Sequence, residues 1–251
     1  MNNDQLKPNI AILDGDIIAY RAAFWADQEG SEWLESRLED DIKRWNPFPS
    51  EPIIALSCRR ENNFRRSFLP EYKEHRQGAP RPDCLKDAIQ YLLDRGALLE
   101  PTLEADDLIG RCKSSLRAVC VTIDKDLGQV PGYYWVPPTD SNPPSDEILY
   151  TDLATADQFF YRQWITGDST DNIAGIWKMG PKKAEAALAS TSPNNHAALV
   201  LSLYETRKDR TGSAYSLDYA VQMAKAVRIL RDGEGVDWDP LSLLDDNSQT
   251  Y

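Results

Sequence analysis

Short unbroken apolar runs alternate along this chain with longer segments whose apolar residues recur every three or four positions. Residues 9–18 (NIAILDGDII) predict a buried strand that breaks at Gly15, and helical spacing takes over across 17–25. Residues 52–58 (PIIALSC) predict a second strand. Residues 83–95 place Leu85, Ile89, Leu92 and Leu93 on one helical face, with Gly96 positioned to close the helix. A helix over 102–116 carries its acids in the first turn and leads into a third strand, 118–123. Residues 129–146 are rich in Pro, Gly, Asn and Ser and read as loop or a short hairpin. Beyond 155 the spacing is helical, over 157–164, 182–188, 197–204 and 219–230. Strands that alternate with helices imply an α/β fold, a mostly parallel central sheet flanked by helices. Two regions are expected: an α/β core over 1–150 and a helical region over 151–251.

Composition narrows the class. With 251 residues, 41% of them apolar, the chain can bury a sizeable core, which argues against overall disorder. No apolar run reaches the roughly 20 residues of a membrane span, and the polar start MNNDQLKPN lacks the regions of a signal peptide. Cys58, Cys84, Cys112 and Cys120 show no CxxC pairing and there are two histidines, so neither a disulfide framework nor a zinc site is supported. A reduced, cytoplasmic setting without membrane contact is expected. The net charge of −12 opposes general nucleic-acid affinity. Its distribution changes that picture: seven Lys or Arg face three Glu between Arg59 and Arg81, and Lys178, Lys182 and Lys183 cluster in a glycine-bearing turn.

Four acidic clusters interrupt apolar runs where elements begin or end: Asp14 with Asp16; Glu104, Asp106 and Asp107; Asp124 with Asp126; Asp168 with Asp171. In extended chain, residues at i and i+2 point the same way, so Asp14 with Asp16, and Asp124 with Asp126, are each expected to reach one ion. An acidic first turn also complements a helix dipole, and the Asp124 turn can simply be solvated. Four clusters placed alike favour a cation site. Hard oxygen donors suit Mg²⁺ or Mn²⁺, and more carboxylates are present than one ion needs, so two divalent cations are expected. Asp14, Cys58 and Asp124 fall at strand carboxyl ends, where α/β sheets gather ligands.

The ordered motifs DGD, FLPEYKEHR, EADDLIG, TIDKDL and GDSTDNIAGIWKMGPKKA resemble the 5′-nuclease family of flap endonucleases and 5′→3′ exonucleases, the short phage-encoded exonucleases above all. The similarity runs from residue 9 to 188, and the QMAKAVRILR stretch also resembles the tail of the phage enzymes. The resemblance implies a PIN-like nuclease core with a short helical arch between residues 76 and 104, and a helix–hairpin–helix region in the second half. It implies that Asp14, Glu104 and Asp106 hold a first metal near the attacking water. Asp107, Asp124, Asp126, Asp168 and Asp171 would bind or support a second, with Asp106 between the two. Lys73 and Arg76 match the family's catalytic basic pair, joined by Tyr72, Arg65 and Arg66 in a DNA-binding strip. Tyr20 matches a position that stacks on a nucleobase. Gly175, Lys178, Gly180, Lys182 and Lys183 lie in the hairpin that grips duplex phosphates, in relatives with help from K⁺.

Two departures qualify the match. Cys58 stands where many relatives carry Asp, leaving Asp16 to compensate at the first metal. Lys178 replaces a usual hairpin glycine, which counts against the K⁺ site and for direct contact of lysine with phosphate. The implied activity is hydrolysis from the 5′ end of duplex or branched DNA, with an RNA–DNA hybrid as a further substrate and replication proteins as partners, in the host cytoplasm if the chain is phage-encoded. A phosphatase of the haloacid dehalogenase type would use Asp14 as nucleophile, but leaves the EADD cluster, the arginine strip and the hairpin without a role. A small PIN-type ribonuclease fits the carboxylates and not the hairpin. A DNA-binding protein impaired by Cys58 is the remaining alternative.

Overall fold

The computed structural model describes residues 8–76, 78–115, 118–139 and 147–245. Six strands form one sheet in the order β3-β2-β1-β4-β5-β6. They are β1 (Ala11–Asp14), β2 (Ile53–Leu56), β3 (Leu98–Leu99), β4 (Val119–Val121), β5 (Gly132–Trp135) and β6 (Leu149–Thr151). All neighbours run parallel except β5 and β6. Leu13 pairs with Ile54 on one side and Val121 on the other, which puts β1 at the centre. The chain leaves β1 first toward β2 and later toward β4, so the strand order reverses there. In open parallel sheets that reversal opens a crevice at the carboxyl ends.

The helices associated with this sheet are α1 (Gly15–Glu29), α2 (Leu34–Arg44), α3 (Leu85–Asp94) and α4 (Ala105–Ser115). Ala11 and Leu13 face a core shared with Ala19, Ala22, Leu38, Ala88 and Leu92 of α1, α2 and α3. Ile12 points the other way and is also fully buried, while α4 packs against β1 and β2. Burial on both faces is why these strands read as continuous apolar runs rather than as alternation. Gly15 sits where α1 leaves the sheet: an added Cβ would meet the Ala55 carbonyl oxygen at 2.6 Å. The glycine therefore lets the helix start directly against β2.

The contacts divide the chain into two units: residues 1–63, 79–152 and 229–234, and residues 64–78, 153–228 and 235–251. The single boundary expected at residue 150 thus becomes several crossings. The second unit contains α5 (Leu153–Thr166), α6 (Pro181–Leu188), α7 (His196–Thr206), α8 (Leu217–Val227) and α9 (Ser242–Asp245). Its core centres on Phe160, Trp164, Val200, Tyr204 and Met223, with Leu69 and Tyr72 from the 64–78 segment inserted. The Trp164 indole N–H donates to the Ala220 carbonyl (2.8 Å), and the Tyr204 hydroxyl donates to that of Trp164 (2.7 Å).

Three local expectations change. The stretch expected as a helical arch holds α3, packed on α1 with Ala88 and Leu92 fully buried. The expected 129–146 loop contains β5, whose aromatic residues pair with β4 and β6; residues 140–146 lie outside the described set. The helix expected over 219–230 ends at Val227, because residues 229–234 return to the first unit.

Candidate active site

Asp14 ends β1 and caps α1, its Oδ1 accepting from the Ile17 N–H at 3.2 Å. It is 4% exposed. Burial, and then the nearby charges of Asp16 and Asp124, push its carboxyl up to about 7 despite that hydrogen bond. Asp16 lies in the first turn of α1, and its Oδ1 accepts from the Ser57 N–H at 3.2 Å. The Ser57 hydroxyl in turn accepts from the Ala105 N–H at 2.9 Å. Ser57, unremarked in the sequence, thus ties the end of β2 to the starts of α1 and α4. Only the structure shows it, because its two partners lie 41 and 48 residues away.

Asp124 follows β4 and caps a one-turn 3₁₀ helix, Lys125–Gln129, its Oδ1 accepting from the Asp126 N–H at 2.8 Å. The pairs Asp14/Asp16 and Asp124/Asp126 were expected to converge through extended chain. Each instead straddles a helix start, where the first acid caps and the second lies in the first turn. Helix-start geometry, not strand alternation, sets their spacing. Asp106 occupies the first turn of α4. Behind the cluster, burial drives the Cys120 thiol up to about 12, helped by Asp14, Asp106 and Asp124. Cys58 is half-buried just beyond β2, its N–H donating to the Leu103 carbonyl at 2.8 Å.

Asp107 is fully buried; Oδ2 accepts from the Glu104 N–H and Oδ1 from the Leu230 N–H, both at 3.2 Å. Glu104 precedes α4 and its carbonyl accepts from the Asp107 N–H, so the two form a reciprocal helix cap. Asp107, expected as a metal ligand, also fastens residues 229–234 to α4.

Among the described residues, no three acidic, thiol or imidazole groups already surround a common metal position. The donor set still fits a hard divalent cation. It gathers oxygen donors at the strand-order reversal, where burial and the charges of Asp16 and Asp124 push the Asp14 carboxyl upward, a cost that a cation would offset.

The second unit carries the other expected acids. Asp171 is the hub: Oδ2 accepts from the Tyr72 hydroxyl (3.1 Å) and lies 3.4 Å from the Lys73 ammonium, while Oδ1 takes the Arg76 guanidinium at 2.8 Å. The Lys73 N–H also donates to the Asp171 carbonyl (2.9 Å), with Lys73 in the left-handed region at φ 51°. The basic pair is therefore held by a carboxylate rather than by solvent. Asp168 Oδ1 accepts from the Thr170 N–H at 2.7 Å in the turn that follows α5. That turn requires glycines: Gly167 and Gly175, both at positive φ, bring their backbones into direct contact.

The DNA-binding strip divides. Arg65 is buried, its guanidinium donating to the Ala226 and Arg228 carbonyls, and Tyr72 is 2% exposed. Arg66 donates to the Tyr72 carbonyl at 2.7 Å. These contacts hold the 64–78 segment onto its unit. Tyr20 remains 46% exposed on α1. In the hairpin, Lys178 takes φ 62°, the left-handed conformation a glycine would adopt freely. Gly180 precedes α6, while Lys182 is exposed and Lys183 donates to the Lys178 carbonyl at 3.1 Å. Trp177, beside Lys178, is 40% exposed.

No family profile matches the chain. It is 26% identical over 220 residues to DNA polymerase I of Mycobacterium bovis and to that of Mycobacterium tuberculosis, an alignment taking in 75% of this chain and 24% of each relative. The chain thus spans about a quarter of the length of those curated relatives. It superposes on T5 5′-exonuclease with bound zinc at a TM-score of 0.56 and 17% identity, covering 87% of this chain and 85% of that one. On the catalytic core of Rad2 in complex with DNA substrate, the TM-score is 0.53 with 14% identity over 93% of this chain and 81% of that one. With its mostly parallel six-stranded sheet and acids at the carboxyl ends of β1 and β4, the chain has the 5′-exonuclease and flap-endonuclease fold, and the resemblance read in its motifs holds at that level.

Proposed function

We propose that this chain is a divalent-metal-dependent nuclease that hydrolyses phosphodiester bonds from the 5′ end of duplex or branched DNA. The observation that carries the reading is Asp14. It is a buried carboxyl at the strand-order reversal, with Asp16 and Asp124 close enough to disfavour its ionisation, an arrangement that a bound cation would relieve. Asp14, Asp16, Glu104 and Asp106 would hold one ion, and Asp124 and Asp126 another. Bound there, Mg²⁺ or Mn²⁺ supplies Lewis acidity and an activated water for phosphodiester hydrolysis. The zinc of the T5 enzyme and the DNA of the Rad2 complex support the same cofactor class and substrate.

The residues divide the remaining work. Asp14, whose carboxyl burial pushes upward, would be held in its ionised form by a cation bound beside it. Ser57 orients Asp16 and the start of α4 together. In the second unit, Lys73 and Arg76 offer positive charge to non-bridging phosphate oxygens, and Asp171 positions both. Tyr20 presents an exposed ring for stacking on a base, and Lys178, Lys182 and Lys183 meet duplex phosphates. An RNA-containing duplex would meet the same groups. The aspartyl-phosphatase alternative is disfavoured, because Asp14 is buried and capping α1 rather than exposed for attack.

The test is cleavage of 5′-labelled duplex DNA by wild type with Mg²⁺ or Mn²⁺, beside Asp124→Asn and an EDTA control. Release of labelled mononucleotides or short fragments by wild type alone supports the assignment. Binding without cleavage in either metal moves the impaired DNA-binding reading forward, with Cys58→Asp as the first substitution to make.

A further inference from the structure

Trp177 is an exposed indole that bears two cations. The Arg210 guanidinium lies 4.7 Å from its ring centroid, and the Lys178 ammonium 5.7 Å. Arg210 comes from outside the helix–hairpin–helix stretch. It projects from a turn closed by the Lys208–Ala214 bridge, in which Asp209 Oδ1 accepts from the Thr211 N–H and hydroxyl and the Ser213 N–H. The carboxylate beside Arg210 is thus spent on holding the turn. Among the described residues, no carboxylate forms an ion pair with Arg210 or Lys178. The Tyr215 hydroxyl accepts from the Trp177 N–H at 2.8 Å and so pins the two segments together. Between them lies a cleft of about 680 Å³, with Lys178, Gly180, Arg210 and Tyr215 in its lining.

Arg210 and Lys178, neither in an ion pair among the described residues, lie over an exposed ring in a chain of net charge −12. A guanidinium stacked on an aromatic face keeps its planar N–H edge free for a phosphate, with little further ordering to lose. Duplex DNA presents a row of phosphates, about one every 3.4 Å along each strand, and so suits a surface to which Arg210, Lys178 and the exposed Lys182 all contribute from one unit.

We propose that Arg210, seated on Trp177, is a second phosphate clamp for the duplex arm of a nucleic acid, set by the 207–214 turn and separate from the hairpin backbone. The inference rests on the reading of the chain as a DNA nuclease and names a contact which that reading does not contain. Trp177 is the platform, Lys178 a companion cation, and Asp209 the internal brace of the turn.

The test is fluorescence anisotropy of the full chain with a labelled blunt duplex in EDTA, so that nothing is cleaved, titrated with salt. Wild type, Arg210→Ala, Arg210→Lys and Arg210→Gln are compared on the duplex and on a single strand of equal length. Loss of one phosphate contact should lower the slope of log K against log salt by about one and weaken duplex binding roughly 5- to 10-fold near 0.1 M salt. The single strand should change less, and Arg210→Lys should keep most of the slope. If Arg210→Ala does not fold, Arg210→Gln carries the comparison. An unchanged slope and affinity in a variant that melts like wild type would overturn the clamp. So would Arg210-dependent binding of a polyglutamate probe without any effect on duplex. Wild type that binds no duplex would sink the nuclease reading and the clamp together, an outcome distinct from a silent Arg210.

Discussion

Asp171 and Arg76, 95 residues apart, meet through a 2.8 Å contact between Oδ1 and Nη2, while the other carboxylate oxygen accepts from the Tyr72 hydroxyl. Arg76 is half-exposed and has a long flexible side chain, so without this anchor it would sample many positions. If Arg76 acts on the phosphate as proposed, the carboxylate that holds it should show its effect in turnover more than in stability. A partly exposed ion pair is worth about 0.5–1 kcal/mol.

A double-mutant cycle tests that division of roles. Asp171→Asn and Arg76→Ala should each reduce cleavage at saturating DNA by about tenfold or more. Their effects should not add, because the second mutation removes a contact already lost. Urea melts should place each single variant within about 1 kcal/mol of wild type. Fully additive losses in turnover would show that Asp171 and Arg76 act independently.

The Asp14 carboxyl, raised to about 7 from an ordinary 3.8, fixes a pH dependence. The folded state holds a proton that the unfolded chain releases near pH 4, so ionisation disfavours folding. Metal-free protein should therefore lose stability as pH rises from about 4 to about 7, by a few kcal/mol at most at about 1.4 kcal/mol per unit. Asp14→Asn keeps the helix cap and removes the charge. It should melt higher than wild type at pH 8 in EDTA, while Mg²⁺ should raise wild type and leave the variant little changed. Equal melting curves in EDTA would contradict the burial of an uncompensated carboxylate.

Much of this architecture was legible before any coordinates. The runs around Ala11–Asp14, Ile53–Leu56 and Val119–Val121 are apolar because both faces of the sheet are covered, and α3 to α8 declare themselves by spacing. Helix α2 went unpredicted because Leu34, Leu38 and Ile42 form a narrow stripe among charges. Strand β3 is two exposed residues, and β5 sits among turn-forming residues, so neither carries a periodic signal. The acids at the ends of β1 and β4 were legible as a group, because charge inside an apolar run is costly.

Individual roles were less legible, since they depend on partners far along the chain. Asp107 looks like its neighbour Asp106 until its bond to Leu230, 123 residues on, appears. Arg65 looks like a surface cation until its guanidinium meets the Ala226 carbonyl, 161 residues on. Local sequence shows which side chains can bind an ion or a phosphate. It does not show which of them the fold has already used.

That contrast makes Asp106 and Asp107 a paired test. Asp107→Ala leaves the buried Leu230 N–H and the half-buried Glu104 N–H without their acceptor and should destabilise by about 1–3 kcal/mol. The protein that remains folded should keep its divalent-metal affinity by calorimetry. Asp106→Ala should reverse the pattern, with near-normal melting and lost cleavage. Weakened metal binding in folded Asp107→Ala would return that residue to the metal site.

Arg65 supplies the companion case for the basic strip. Its buried guanidinium crosses the Phe64 ring at 4.5 Å and satisfies two carbonyls near the end of α8. Truncation strands those acceptors and opens a void, so Arg65→Ala should cost about 2–4 kcal/mol. Because the side chain is shielded from solvent, it releases no counterion when DNA binds, and the salt dependence of duplex affinity should match wild type. Lys182→Ala, at an exposed position, should do the opposite: unchanged melting and a salt slope reduced by about one. A reduced slope in folded Arg65→Ala would place the guanidinium on the nucleic acid, and the buried contacts described above would then not be those of the bound state.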